Sequence, residues 1–173
     1  MANLVILTAD ELLAFGSLQR QTARRTARQQ PLVRLILQTF LQRGGPIPVD
    51  DIITASRNTQ AAATHDTLAA LDDDDIIRVR AGQIDVVYPF SAVPTPFRVR
   101  FSGGRERHAC CATDALGMAP MLGEPVEINS SCHHCGAPLQ FAATPHGLGP
   151  DAEGVMVWIG KRGDEGCKAA DSL

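Results

Sequence analysis

The stretch that most constrains the fold is IIRVRAGQIDVVYPF, residues 76–90. Ile77, Val79, Ile84, Val86 and Tyr88 alternate with other residues on the two sides of Ala81-Gly82-Gln83. A period of two interrupted by a glycine-bearing turn is the pattern of a β-hairpin. What precedes it has a different period. Residues 9–43 read as helical, and within PLVRLILQTFLQRGG the side chains of Leu32, Leu35, Ile36, Thr39 and Phe40 share one face. Pro31 suits a first turn and Gly44-Gly45 a stop. PIPVDDIITAS predicts a short helix opening near Asp50. NTQAAATHDTLAALDDDD predicts another, with Asn58 or Thr59 as N-cap. Three helices followed by a hairpin is the order of a winged helix.

Beyond the hairpin, the prolines of VPTPFR mark a linker. FRVRFSGG reads as a strand and ATDALGMAPML as a short helix. EPVEINSS, APLQFAAT and GVMVWIGK read as further strands. The expected class is therefore α+β: a helical, winged-helix-like module over 1–93, then over 94–173 a small, mostly antiparallel sheet whose short helix carries cysteines. A chain of 173 residues with 45% hydrophobic content can bury cores of that size.

Charge and cysteine usage narrow the function. Net charge is −3, which gives no global attraction to nucleic acid or an acidic membrane. No apolar run approaches the roughly 20 residues of a membrane helix. The start MANLVILTADELL has neither the basic flank nor the cleavage site of a secretory signal. The five cysteines, an odd number, all lie at or after Cys110, unlike a secreted disulfide framework, and the cytoplasm is the expected compartment. DNA is not an expected partner, because residues 59–71 contain no Lys or Arg and run into Asp72–Asp75. Arg57, Arg78 and Arg80 flank that helix rather than line it, so the module reads as a packing scaffold and the acidic run as a solvated turn. The basic stretch Arg20 to Arg28 is an exposed helix face, a mobile arm or a homodimer contact.

The chemistry lies in HACCATDALGMAP, residues 108–120. Cys111 and Asp114 are three apart and share a helix face, which Met118 and Leu122 extend as an apolar strip. In a first helical turn the free N–H groups and the helix dipole favour a Cys111 thiolate, and a neighbouring carboxyl in a poorly hydrated place holds a proton more readily. That pairs a nucleophile with a proton donor. The plainer alternative is a helix-capping aspartate beside a small buried cysteine. Further on, Cys132 and Cys135 form a C-x-x-C around His133 and His134, half of a zinc-type site. The other half would come from Cys110, Cys111, His108 or Cys167, at a spacing that fits no regular zinc ribbon. His65 and His146 read as surface residues.

CATDALGMAPMLGEPVEINSSCHHCGAP, residues 111–138, resembles the central segment of the bacterial organomercurial (alkylmercury) lyases. The likeness rests on Cys111 and Asp114 in C-x-x-D-x-L, on Pro120 and Gly123, on PVEINSSC, on GAP at 136–138 and on the interval from Cys111 to Cys132. In architecture it extends over about residues 30–160. The resemblance implies that Cys111 is the thiolate that takes the organomercurial and that Asp114 relays the proton to the leaving carbon. It implies that Cys132 is a buried structural cysteine and that a second catalytic cysteine lies downstream, a place for Cys167 or, failing it, Cys110. Cys110 and Cys135 are additional to the family's pattern. The implied reaction breaks a carbon–mercury bond to give hydrocarbon and Hg(II) from a small organometallic substrate, with no cofactor. Two rivals remain at this point. One is a non-catalytic sensor or carrier that holds Zn, Cu or Hg through Cys110, Cys111, Cys132 and Cys135. The other is a winged-helix, metal-responsive regulator.

Overall fold

The computed structural model describes residues 8, 11, 30–56 and 61–158. Cys167, Asn58, Thr59, Arg57 and the basic stretch 20–28 lie outside them. Among the described residues there are four helices and nine strands, and every strand pairing is antiparallel. The chain is α+β, as expected. No described helix is long and apolar enough to cross a membrane.

The helices α1 (Gln30–Arg43), α2 (Val49–Ala55) and α3 (Ala61–Asp73) come first, with a short strand β1 (Ile47–Pro48) between the first two. The hairpin follows as β2 (Ile77–Arg80) and β3 (Gln83–Val87). Its turn is the pair Ala81-Gly82, both at positive φ (48° and 74°). That is the twist sense that two antiparallel strands require of a two-residue connection. The acidic run before it is not a solvated turn. Asp72 accepts the backbone N–H of Val79 at 3.1 Å and lies 3.6 Å from Arg78, while Asp75 accepts the Tyr88 hydroxyl at 3.4 Å. These carboxylates fasten the end of α3 to the hairpin.

The remaining strands are β4 (Phe90–Ser91), β5 (Arg98–Phe101), β6 (Glu106–Ala109), β7 (Val126–Ser131), β8 (Pro138–Thr144) and β9 (Gly147–Leu148). Helix α4 (Ala112–Leu122) lies between β6 and β7 in the chain. One sheet runs in the order β1-β3-β4-β6-β5-β7-β8-β9, with β2 beside β3. The two-residue strand β4 joins the hairpin to the downstream strands: Phe90 pairs with Val87 on one side and Ala109 on the other. The proline-rich segment is tied down as well, since Thr95 donates its hydroxyl to Ala109 O at 2.6 Å and its N–H to His108 Nδ1 at 3.1 Å. His108, a candidate metal ligand, is thereby engaged in the sheet.

Alternation along β5, β7 and β8 turns Val99, Phe101, Val126, Ile128, Phe141 and Ala143 inward, and α4 packs over β6, β7 and β8. Phe90 is fully buried between two other rings, stacked on Phe40 of α1 at 5.8 Å and tilted against Phe101 at 6.4 Å. Arg107 of β6 adds a polar tie. Its guanidinium donates to the carbonyls of Phe40 (3.0 Å) and Gln42 (3.0 Å) and to that of Leu41, at the end of α1, where the Phe40 carbonyl also accepts Gly44 N–H at 2.9 Å. One expected strand is absent: of GVMVWIGK, the described residues 154–158 form no strand, and Met156 and Trp158 are exposed. The sheet ends there at β9, and a short 3₁₀ turn at Pro150–Ala152 follows.

Replacing Phe90 with Ala is expected to cost about 3–5 kcal/mol, the range for a buried aromatic that cannot be refilled. Urea unfolding followed by circular dichroism measures it.

Candidate functional site

The site is built where β6 gives way to α4. The inward register of Ala109 and a hydrogen bond from Cys110 N–H to Pro89 O at 3.0 Å hold the chain against β4. Cys110 then falls into an apolar nook with Val86 and Tyr88, 5% exposed. The next residue, Cys111, has extended backbone (φ −154°, ψ 178°) and is the N-cap of α4, its carbonyl accepting Ala115 N–H at 3.0 Å. Gly123, left-handed at φ 71°, ends the helix. Pro120 lies inside the helix, in its last turn, and offers no N–H to the Leu116 carbonyl.

Cys111 and Asp114 do meet. Cys111 Sγ donates to Asp114 Oδ2 at 2.9 Å, and the Thr113 hydroxyl lies 2.9 Å from the same sulfur. Met118, one turn further, is fully buried, and Leu122 packs against the core. The carboxylate thus accepts a thiol proton at the edge of an apolar surface. The electrostatics run against the sequence-based expectation of a thiolate. Burial pushes the Cys111 thiol up, and the Asp114 charge and its hydrogen bond push it the same way. The Thr113 hydroxyl and the Asp114 backbone N–H oppose this and are outweighed. A helix start favours an anion by a modest amount; desolvation beside a like charge favours the neutral acid by more.

Tyr88 completes the surroundings. Its phenol is kept protonated well above its usual range, first by burial, then by the charges of Asp75, Cys110 and Asp114. Tyr88 therefore stands among the same groups that flank Cys111. Sequence reasoning placed it only as a strand residue, and no local signal marks it, because its partners come from the turn after α3 and the β6–α4 junction. Thr113 was missed for the opposite reason: it sits inside the motif but looks like a neutral helix residue.

The other cysteines lie apart. Cys132 and Cys135 occupy the turn between β7 and β8. Cys132 is partly exposed rather than buried, which corrects the role of buried structural cysteine, and Cys135 is exposed. Backbone N–H groups of Cys135 and His134 aimed at the Cys132 sulfur, with the Cys135 thiol, lower its proton affinity. Among the described residues no group of three or more His, Cys, Asp or Glu side chains converges. The four-sulfur cluster of Cys110, Cys111, Cys132 and Cys135 that the rival sensor or carrier reading needs is therefore not formed among the described residues. None of those four is joined in a disulfide, and Cys167 lies outside the described residues. A groove of about 410 Å³ along β5, β7 and β8 is lined by Arg100, Glu127, Gln140 and Asp151 among others, and by neither Cys111 nor Asp114.

Residues 90–173 match the family model described as MerB: Alkylmercury lyase. The match begins at Phe90, the residue that links the two parts of the sheet. The chain is 32% identical over 111 residues to an alkylmercury lyase of Staphylococcus epidermidis, covering 63% of this chain and 48% of that one. It is 28% identical over 119 residues to an alkylmercury lyase of Streptomyces lividans, covering 67% and 49%. The chain thus spans about half the length of the curated relatives it matches. Its fold is similar to the crystal structure of the mercury-bound form of MerB2, with a TM-score of 0.62 and 19% identity over 76% of this chain and 64% of that one.

With the Cys111 thiol raised, its alkylation by iodoacetamide should follow a pH profile whose inflection lies above that of a free thiol. Asp114→Asn removes the like charge and the acceptor, so the inflection should move down and alkylation at neutral pH should accelerate. Mass-spectrometric counting of modified Cys111 against pH checks both.

Proposed function

We propose, from the likeness of residues 90–173 to the alkylmercury lyase family model, that this chain cleaves carbon–mercury bonds by protonolysis. The observation that carries the proposal is the 2.9 Å hydrogen bond from Cys111 Sγ to Asp114 Oδ2. Hg(II) is soft and binds sulfur. As an organomercurial cation R–Hg⁺ approaches, the Cys111 S–H bond breaks, its proton passes to Asp114, and a sulfur–mercury bond forms. A second thiol then adds to mercury and loses its proton to solvent. Two electron-rich sulfurs raise the electron density on the bound carbon. The Asp114 O–H proton moves to that carbon as the carbon–mercury bond breaks. In sum, R–Hg⁺ and two thiols give R–H, a dithiolate complex of Hg(II) and one H⁺.

In this scheme Asp114 is first base and then acid, so the proton that leaves sulfur is the one that reaches carbon. That use favours a thiol at rest over a thiolate, because a preformed thiolate would leave Asp114 without a proton to give. The second thiol is Cys167 or Cys110. Cys110 is adjacent in the chain and stands with Asp114 around Tyr88. The sensor or carrier alternative loses support from the dispersal of the four sulfurs.

The remaining organisation follows the same family likeness. Helices α1 to α3 with the β2–β3 hairpin act as a winged-helix-like scaffold that supports the site rather than reads DNA. The boundary near 93/94 separates this scaffold from the part that carries the chemistry. The substrate is a small organometallic, and the working compartment is the thiol-reducing cytoplasm.

Cys111→Ser should reduce hydrocarbon release from an organomercurial to background, measured by headspace gas chromatography; unchanged turnover would exclude the scheme. Asp114→Asn should still bind the organomercurial but release hydrocarbon about 10²–10⁴-fold more slowly, the range for loss of a positioned acid. Single Cys110→Ser and Cys167→Ser variants in the same assay identify the second thiol.

A further inference from the structure

The C-x-x-C turn has no part in the proposed reaction, yet its two cysteines sit in one folded-back turn between β7 and β8. β7 and β8 last pair at Ser131 and Pro138. The residues between are folded back by two backbone hydrogen bonds of 2.8 Å, from Cys132 N–H to Ala137 O and from Gly136 N–H to Cys132 O. Gly136 takes a left-handed φ of 71°, a conformation costly for any residue with a Cβ. This closure places Cys132 and Cys135 on one tight turn, at the two-residue separation from which a single loop presents two thiols to one ion. Both thiols are free, and Cys135 is open to solvent.

We propose that Cys132 and Cys135 form a second, two-sulfur site for a thiophilic cation, with Hg(II) as the ion it takes. The count of ligands argues against a structural Zn(II) and leaves soft ions that accept two thiolates. Zn(II) in a structural site takes four ligands in a tetrahedron, and among the described residues no third His, Cys, Asp or Glu joins the pair. Hg(II) is soft and is satisfied by two thiolates. Loading is ligand exchange without redox change. Hg(II) held by two small-molecule thiolates plus the two protein thiols gives the Cys132–S–Hg–S–Cys135 chelate and two free small thiols. The choice of Hg(II) as cargo rests on the proposed lyase function, since that reaction releases it; the existence of the dithiol site does not.

The test uses the full chain, reduced, with Cys111→Ser as background so that the reaction site does not contribute its sulfur. Hg(II) is added in the presence of excess glutathione, a monothiol that strips singly held mercury, and retained mercury is counted after dialysis. Cys111→Ser should retain one Hg(II) that Cys111→Ser/Cys135→Ser holds at least about tenfold more weakly, as expected when a chelate becomes a single contact. X-ray absorption on the loaded Cys111→Ser protein should show two sulfur neighbours. Equal retention in the two variants, or a sulfur count other than two, would overturn the proposal. Circular dichroism confirms that each variant is folded, and Cys135→Ala repeats the measurement should Cys135→Ser misfold. Cys135→Ser alone should leave hydrocarbon release unchanged. Absence of release in the unmodified chain would remove the lyase reading while leaving the mercury count to decide this one.

Discussion

The burial of the Phe90 ring is the constraint on which the molecule depends. A strand of two residues, β4, has little hydrogen bonding of its own, and it is held because Phe90 fills the space between Phe40 and Phe101. Through that ring the helical part and the downstream sheet share one interior. The same short strand fixes the approach to α4: Phe90 sets the register of Ala109, and Pro89 receives the N–H of Cys110. Packing in the centre thus determines where the paired cysteines emerge. Arg107, two residues before Ala109, reinforces that placement by occupying the carbonyls that end α1.

At the site two general tendencies compete, and their magnitudes decide the outcome. A helix start offers donors and a partial positive charge, worth roughly 0.3–1 kcal/mol at the surface. Removal of a thiolate from water beside a carboxylate works against ionisation, and the direction of the Cys111 shift indicates that this is the larger effect. The consequence is an internal hydrogen bond in which sulfur is the donor. Tyr88, itself kept protonated by the surrounding acids, adds a neutral polar wall rather than a charge.

Much of this was legible in the residues alone, and the exceptions share a cause. The period-two pattern around Ala81-Gly82, the helix ending at Gly44 and the helix from Ala112 to Leu122 are local signals, and the structure has them. The proximity of Cys111 and Asp114 follows from helical spacing and is likewise local. What sequence reasoning missed is long-range. β4 and β6 are too short to show a period and exist because Phe90 and Ala109 face each other. Asp72 and Asp75 look like a solvated run until the Val79 N–H and the Tyr88 hydroxyl are seen to use them. The strand expected in GVMVWIGK had the right composition, but its described residues find no partner strand. The protonation of Cys111 needed its burial, which no spacing rule supplies.

The position of β4 between β3 and β6 also bears on how such a protein can be subdivided. Cutting the chain at the proline-rich segment would strip β6 of its neighbour and leave a row of unsatisfied amide and carbonyl groups along the strand that delivers Cys110 and Cys111. Bare edges of that kind template pairing with other chains. A fragment cut there would therefore tend to aggregate through the strand that leads to Cys110 and Cys111, whereas a fragment that begins upstream of Tyr88 keeps its own shield.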